Sequence, residues 1–256
     1  MIKDFKATAR EFKNAESVIL RGLYQSMKVL WGLSRIFLDA NHRSVVVTRL
    51  ILGKRAHQLA NFTRANRYPL IFQAISEYFG QDKEVKVLSF GCSTGEEIFS
   101  LRRYLPQAHL VGVDINRRNI KLANLSHEKD GKMDFYISND SIIAKEGPYD
   151  AILCLAVLQR TENHHPEAVD SSAIYPFKRF DSQVSVLGAL LKEDGLFVID
   201  NADYRFEDAS IYSGYFPIEN APGLQRDRSY FDRNNRKINA SYFNPRVFRK
   251  KVSQGK

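Results

Sequence analysis

The residues best equipped for chemistry lie between Gly91 and Asp114. Gly91 and Gly95 frame Cys92, Ser93 and Thr94; the acids Glu96 and Glu97 follow at once, and Asp114 stands about twenty residues downstream, the separation typical of a nucleoside-binding strand–loop–helix–strand unit. Glycine lets a main chain turn sharply and approach a ligand that a side chain would exclude. A carboxylate ending the neighbouring parallel strand can accept hydrogen bonds from ribose hydroxyls. The two features together predict a nucleoside pocket.

The details of the loop select the nucleoside. A dinucleotide fingerprint reads G-x-G-x-x-G, with a pyrophosphate over the helix N-terminus. Here the third position is Ser93 and the helix opens on Glu96 and Glu97. Acids repel a pyrophosphate and attract an ammonium group. S-adenosylmethionine, a nucleoside joined to a sulfonium and an amino-acid tail, therefore suits this loop better than NAD.

Further polar groups belong to the same reading. Asn139 and Asp140 close a third apolar run, where a polar side chain can meet adenine, and Leu155, Ala156 and Val157 follow a fourth, facing the sulfonium and the acceptor. The stretch 159–180 should form the acceptor wall. It carries His164, His165 and Tyr175, and Asp203, Tyr204 and Arg205 lie past the fifth run. Only the two histidines have an intrinsic pKa suited to a general base near neutrality. Adjacent histidines lack the i, i+4 spacing of a helix-borne metal pair, so no metal site is expected. A carboxylate acceptor needs no base and a hydroxyl does; the sequence leaves both open.

At this point the sequence resembles the class I methyltransferases, and most closely in motif the chemotaxis-receptor glutamate methyltransferases. Ser93–Glu97 reproduces that family's S-T-G-E-E loop, and Asp114 stands at its ribose-binding acid. Phe62-Thr-Arg64 followed by Tyr68-Pro69 matches its F-x-R segment, and 149–154 matches its fourth strand. The resemblance spans roughly residues 60 to 200. It implies S-adenosyl-L-methionine held by Arg64, Gly91, Cys92, Ser93, Gly95, Glu97, Asp114, Ile115, Asn139 or Asp140, Leu155 and Ala156, with Arg64 on the donor carboxylate. It also implies a mostly parallel, doubly wound seven-stranded sheet. The family's Arg-Asn pair after the fourth strand is Leu155-Ala156 here, and no receptor-docking subdomain is evident near the C-terminus.

The elements that must position these groups follow from periodicity. Strands are expected at 85–90, 109–113, 133–138, 149–155 and 195–200, with helices at 95–105, 116–126 and 179–192, the last stopped by Gly195. Val247-Phe248 should supply a final antiparallel strand. Alternation of strands and helices predicts an α/β fold with a doubly wound sheet over 81–256. Residues 1–80 form a helical arm and cap, with helices at 17–38, 43–60 and 66–80, the last closed by Gly80.

Charge divides the chain sharply. Up to Arg67 there are 13 Lys and Arg against 4 Asp and Glu, so the arm holds the whole net charge of +9. In 17–38 Arg21, Lys28 and Arg35 recur every seven residues and form one narrow stripe beside a wide apolar arc. A helix so apolar should pack across the cofactor mouth or pair with a second subunit, the alternative being an anionic membrane surface. Nucleic acid ranks lower, since the (N/D)-P-P-(Y/F) signature of many nucleobase methyltransferases is missing after the fourth strand. Two cysteines imply no disulfide framework, and no signal pattern or uncharged apolar run long enough to span a bilayer is present. The expectation is a cytoplasmic enzyme, membrane-peripheral at most, acting on a small-molecule or protein acceptor. A silent cofactor-binding regulator is the rival.

Overall fold

The computed structural model describes residues 18–53, 56–165, 167–218, 224–225, 230–238 and 243–252; the start of the expected arm, residues 1–17, lies outside them. Five strands, β1 (Lys86–Phe90), β2 (His109–Asp114), β3 (Met133–Ile137), β4 (Tyr149–Leu155) and β5 (Leu191–Asp200), run parallel, and β6 (Tyr215–Pro217) and β7 (Val247–Lys250) complete the sheet. The order is β3-β2-β1-β4-β5-β7-β6, with β7 antiparallel to both neighbours. Two short two-stranded ribbons lie outside this sheet.

The apolar runs become strands because both faces of the sheet are covered. Val87, Leu110, Ala151 and Val198 face one layer, formed by α3 (Pro69–Phe79), α4 (Glu96–Arg102) and α5 (Arg117–Asn124). Leu88, Val111, Ile152 and Phe197 face the other, where α6 (Asp140–Glu146), α7 (Phe177–Ala189) and the rings of Tyr175, Tyr204 and Phe206 pack. The order reverses between β1 and β4, which opens a crevice at their C-terminal ends. The predicted doubly wound sheet is thus present, with Val247-Phe248 in its antiparallel strand.

Several boundaries differ from the sequence reading. The second arm helix, α2, spans Ala40–Leu52, not 43–60: Asp39 caps its first turn by accepting from the Asn41 and His42 amides, and Gly53 closes it. The chain after Ala56 has no regular secondary structure until α3, and residues 57–64 line the crevice. Helix α7 ends at Ala189, and Gly195 lies inside β5 instead of terminating a helix. A Cβ there would stand 2.8 Å from the Asp150 carbonyl oxygen, where the β4–β5 register shifts. The glycine answers close backbone approach, a cause that looks identical to a helix stop in sequence. Helix α6 was not anticipated at all.

The arm is tied to the sheet through polar contacts. Helix α1 (Val18–Leu38) packs on α2, and α2 lies against α5. Asn116 donates to Ser44, Asn119 to Asn61, and Asn61 to Asn41 at 3.1 Å. Among the described residues none of α1 lines the crevice, where the sequence placed 17–38 across the cofactor mouth or against a second subunit; residues of α2 and of the segment after it line it instead.

Candidate cofactor and methyl-transfer site

The loop leaving β1 turns on left-handed residues: Gly91 at φ +86°, Ser93 at +52° and Gly95 at +97°. At Gly91 a Cβ would come within 2.6 Å of Val157 Cγ2 and 2.8 Å of its Cβ, so only glycine allows the β1 and β4 exits to approach. Gly91→Ala should therefore yield a folded but destabilised protein with donor binding lost, checked by thermal melting alongside titration calorimetry. Gly95 instead starts α4 against Phe99 and Phe135 and stays outside the cavity.

The crevice is a cavity open to solvent at its mouth. Its floor is Phe90, Gly91, Cys92, Ser93 and Glu97; one wall is Val113–Asn116 and Ser138, another Leu155–Val157. The third comes from the arm, Thr48 and 57–64 with Arg67 and Tyr68. Of the residues named from sequence, Arg64, Gly91, Cys92, Ser93, Glu97, Asp114, Ile115, Leu155 and Ala156 converge here.

Asp114 organises the loop. Its Oδ2 accepts from the Ser93 amide at 3.0 Å and its Oδ1 from the Asn116 amide at 2.7 Å. Enclosure pushes its pKa up against these hydrogen bonds. Glu97 is more strongly perturbed: burial raises it to about 7, although Ser89 Oγ donates to it at 2.7 Å and Arg67 favours its ionised form. Glu96 turns away to accept from Thr94. Tyr68, pushed to about 12 by burial, receives a hydrogen bond from Asn201.

Asn139 and Asp140 do not reach the cavity. Asn139 accepts from the Ile142 amide and caps α6, and Ser138, one residue earlier, takes the wall position. The stretch 159–180 does not form the exposed wall either; it lies behind the arm segment. Arg160 Nη1 donates to the Ala56 carbonyl, and Asp203 gathers the Arg160 amide, Asn163 and His164. His164 thus belongs to a latch, His165 is exposed, and Arg205 pairs with Asp208 at 2.8 Å. None of these three lines the cavity.

The residue that sequence reasoning missed is His57. It lines the cavity with its ring edge-on to Phe90, and both nitrogens are engaged, Nδ1 with Tyr175 Oη at 2.6 Å and Nε2 with Gln183 Oε1 at 3.0 Å. The Gln183 oxygen can only accept, so Nε2 carries the proton and Nδ1 accepts from the tyrosine hydroxyl. Burial, with Arg179 nearby, lowers its pKa to about 4. Tyr175, an acceptor-side candidate from the sequence, is fully buried behind this ring and does not line the cavity. No group of three or more His, Cys, Asp or Glu suited to a metal occurs among the described residues.

A family model described as a methyltransferase domain matches residues 62–250. The chain belongs to that family. It is also 29% identical over 108 residues to a ubiquinone biosynthesis O-methyltransferase of Maricaulis maris (strain MCS10), covering 39% of this chain and 42% of the relative. It therefore spans about two fifths of the length of that curated relative. Among solved structures, a putative caffeoyl-CoA O-methyltransferase from Staphylococcus aureus is 18% identical, with a TM-score of 0.39 over 66% of this chain and 73% of the other. PKMT2 from Rickettsia typhi, in complex with AdoHcy, is 23% identical, with a TM-score of 0.39 over 54% of this chain and 25% of the other.

S-adenosylmethionine, the donor of this methyltransferase class, fits the residues present. Ser93 Oγ is buried on the cavity wall without a hydrogen-bond partner, an atom whose desolvation a polar ligand group would offset. Gly91 keeps the β1 backbone bare on the cavity lining, and the Glu97 carboxyl lines the same cavity.

Proposed function

We propose that this methyltransferase moves a methyl group from S-adenosylmethionine to an oxygen that is already anionic, a carboxylate or an acidic hydroxyl, on a small molecule. The observation that carries the reading is His57, whose two ring nitrogens are both committed within the protein. The histidine nearest the acceptor space holds its proton in place and takes none up. Asp114 binds the ribose hydroxyls, Glu97 the ammonium, and Arg64 or Arg67 the carboxylate of the donor. Bound there, the donor supplies a methyl on a sulfonium, open to in-line displacement, for which alignment supplies much of the rate. Leu155, Ala156, Val157 and Phe90 exclude water around the transfer path. Two acids and two arginines cancel around the cavity, so the net positive charge of the donor favours an anionic partner.

The oxygen assignment is supported by the similarity to the Maricaulis ubiquinone biosynthesis O-methyltransferase. The likeness to chemotaxis-receptor methyltransferases covers the donor loop; Leu155-Ala156 in place of their Arg-Asn pair argues against a receptor glutamate. That same replacement favours a second reading, a regulator that binds the donor without transferring methyl.

Labelled donor, incubated with the protein and a fractionated metabolite extract, separates the readings. Label should enter small acidic molecules, and at saturating donor and acceptor turnover should stay level from pH 6 to 9, because a histidine at about 4 does not titrate there. Label in protein, or a rate rising with an apparent pKa near 6.5, overturns the proposed acceptor. Tight donor binding with no labelled product favours the regulator.

A further inference from the structure

We propose that α1 and α2 seat the protein on an anionic lipid surface, with the cavity mouth beside the membrane. Ile19, Leu30 and Phe37 fall on one line of α1, Met27, Leu38 and Trp31 lie beside them, and all six are exposed, Phe37 at 78% and Leu38 at 86%. Val47, Leu50 and Ile51 of α2 are exposed as well. Phe62, 71% exposed, belongs also to the cavity wall, as does Thr48 of α2, which puts part of the arm at the site itself.

Charge selects the occupant. Lys28 and Arg35 border the apolar arc of α1; the Arg35 guanidinium lies 5.0 Å from the Trp31 ring and pairs with Asp39 at 3.2 Å, Arg43 donates to the Ile36 and Phe37 carbonyls at the end of α1, and Arg49, 65% exposed, lies 3.7 Å from Glu162. Asp39 is the one acid in 18–67. A second copy docking face to face would bring these cations together. Docking elsewhere on the molecule would meet a remainder of zero net charge, since the arm holds all of the +9. An anionic bilayer complements the apolar arc and the cations at once. Among the described residues no helix is long and apolar enough to cross a membrane, so α1 would lie in the interface plane.

Trp31 is the only tryptophan in the chain, which makes its emission a reporter of this face alone. The full-length protein should float with phosphatidylglycerol–phosphatidylcholine vesicles, blue-shifting its tryptophan emission, and should stay behind with phosphatidylcholine alone. Lys28→Glu/Arg35→Glu should cut partitioning by about tenfold or more, and Leu30→Ser/Phe37→Ser should remove the blue shift. Circular dichroism checks that both variants fold, and the comparison of two vesicle types decides without them. Equal behaviour with both vesicles, a lipid-insensitive dimer by light scattering, or preferential binding to RNA overturns the proposal.

Discussion

Glu97→Gln is expected to melt at a higher temperature than the unmodified protein at pH 8, without donor, while binding the donor about a hundredfold more weakly. The reason is linkage. Burial raises this carboxyl to about 7 from an ordinary value of 4.5, so the folded state disfavours its ionised form. Below the unfolded pKa there is no cost; as pH rises through about 7 the folded protein loses up to about 3 kcal/mol. Glutamine mimics the uncharged acid and keeps an oxygen for Ser89, so it should recover much of that loss, worth roughly 6 to 12 °C in a chain of this size. At pH 4 the difference should vanish. If Glu97 meets the donor ammonium as proposed, donor affinity of the unmodified protein should fall about tenfold between pH 8 and pH 6, as the carboxylate becomes protonated. Scanning fluorimetry and titration calorimetry across pH make the measurement. Equal melting temperatures at pH 8 would show that the carboxyl carries no such strain.

Asp114→Ala should abolish measurable binding of S-adenosylmethionine and its demethylated product, a loss of at least about a hundredfold. Charge-assisted hydrogen bonds contribute about 1.5 to 3 kcal/mol each, and this carboxylate serves two masters. It holds the Ser93 and Asn116 amides, and in the proposed site its remaining lone pairs would accept from the ribose. Asp114→Asn keeps one acceptor oxygen and should fall between. If Asp114→Ala binds donor normally by calorimetry, the ribose assignment is wrong.

What was legible in the sequence was local. The β1 run, the turn at Gly91 and the acids of α4 are contiguous, and Asp114 is one strand away, so pattern alone places them. Asn139 shows the limit: an asparagine after a strand can meet a ligand or cap a helix, and only the Ile142 amide beside it decides. Gly195 misleads in the same way. His57 was invisible because its partners, Tyr175 and Gln183, lie 118 and 126 residues away in sequence. The β-branched run in α2 gave no sign that the helix stops at Leu52 and frees the following residues to line the site.

The wall formed by 56–64 also bears on how the molecule is made. Vectorial synthesis delivers this segment before the sheet that receives it. Ala56 waits for Arg160, and His57 waits for Tyr175 and Gln183, so the pocket is assembled last from a piece that emerged early. Until α7 has left the ribosome, the exposed apolar side chains of the arm and the uncovered edge of the crevice are both available to other binders. Nascent chains stalled before residue 177 should accordingly be the form most readily held by chaperones.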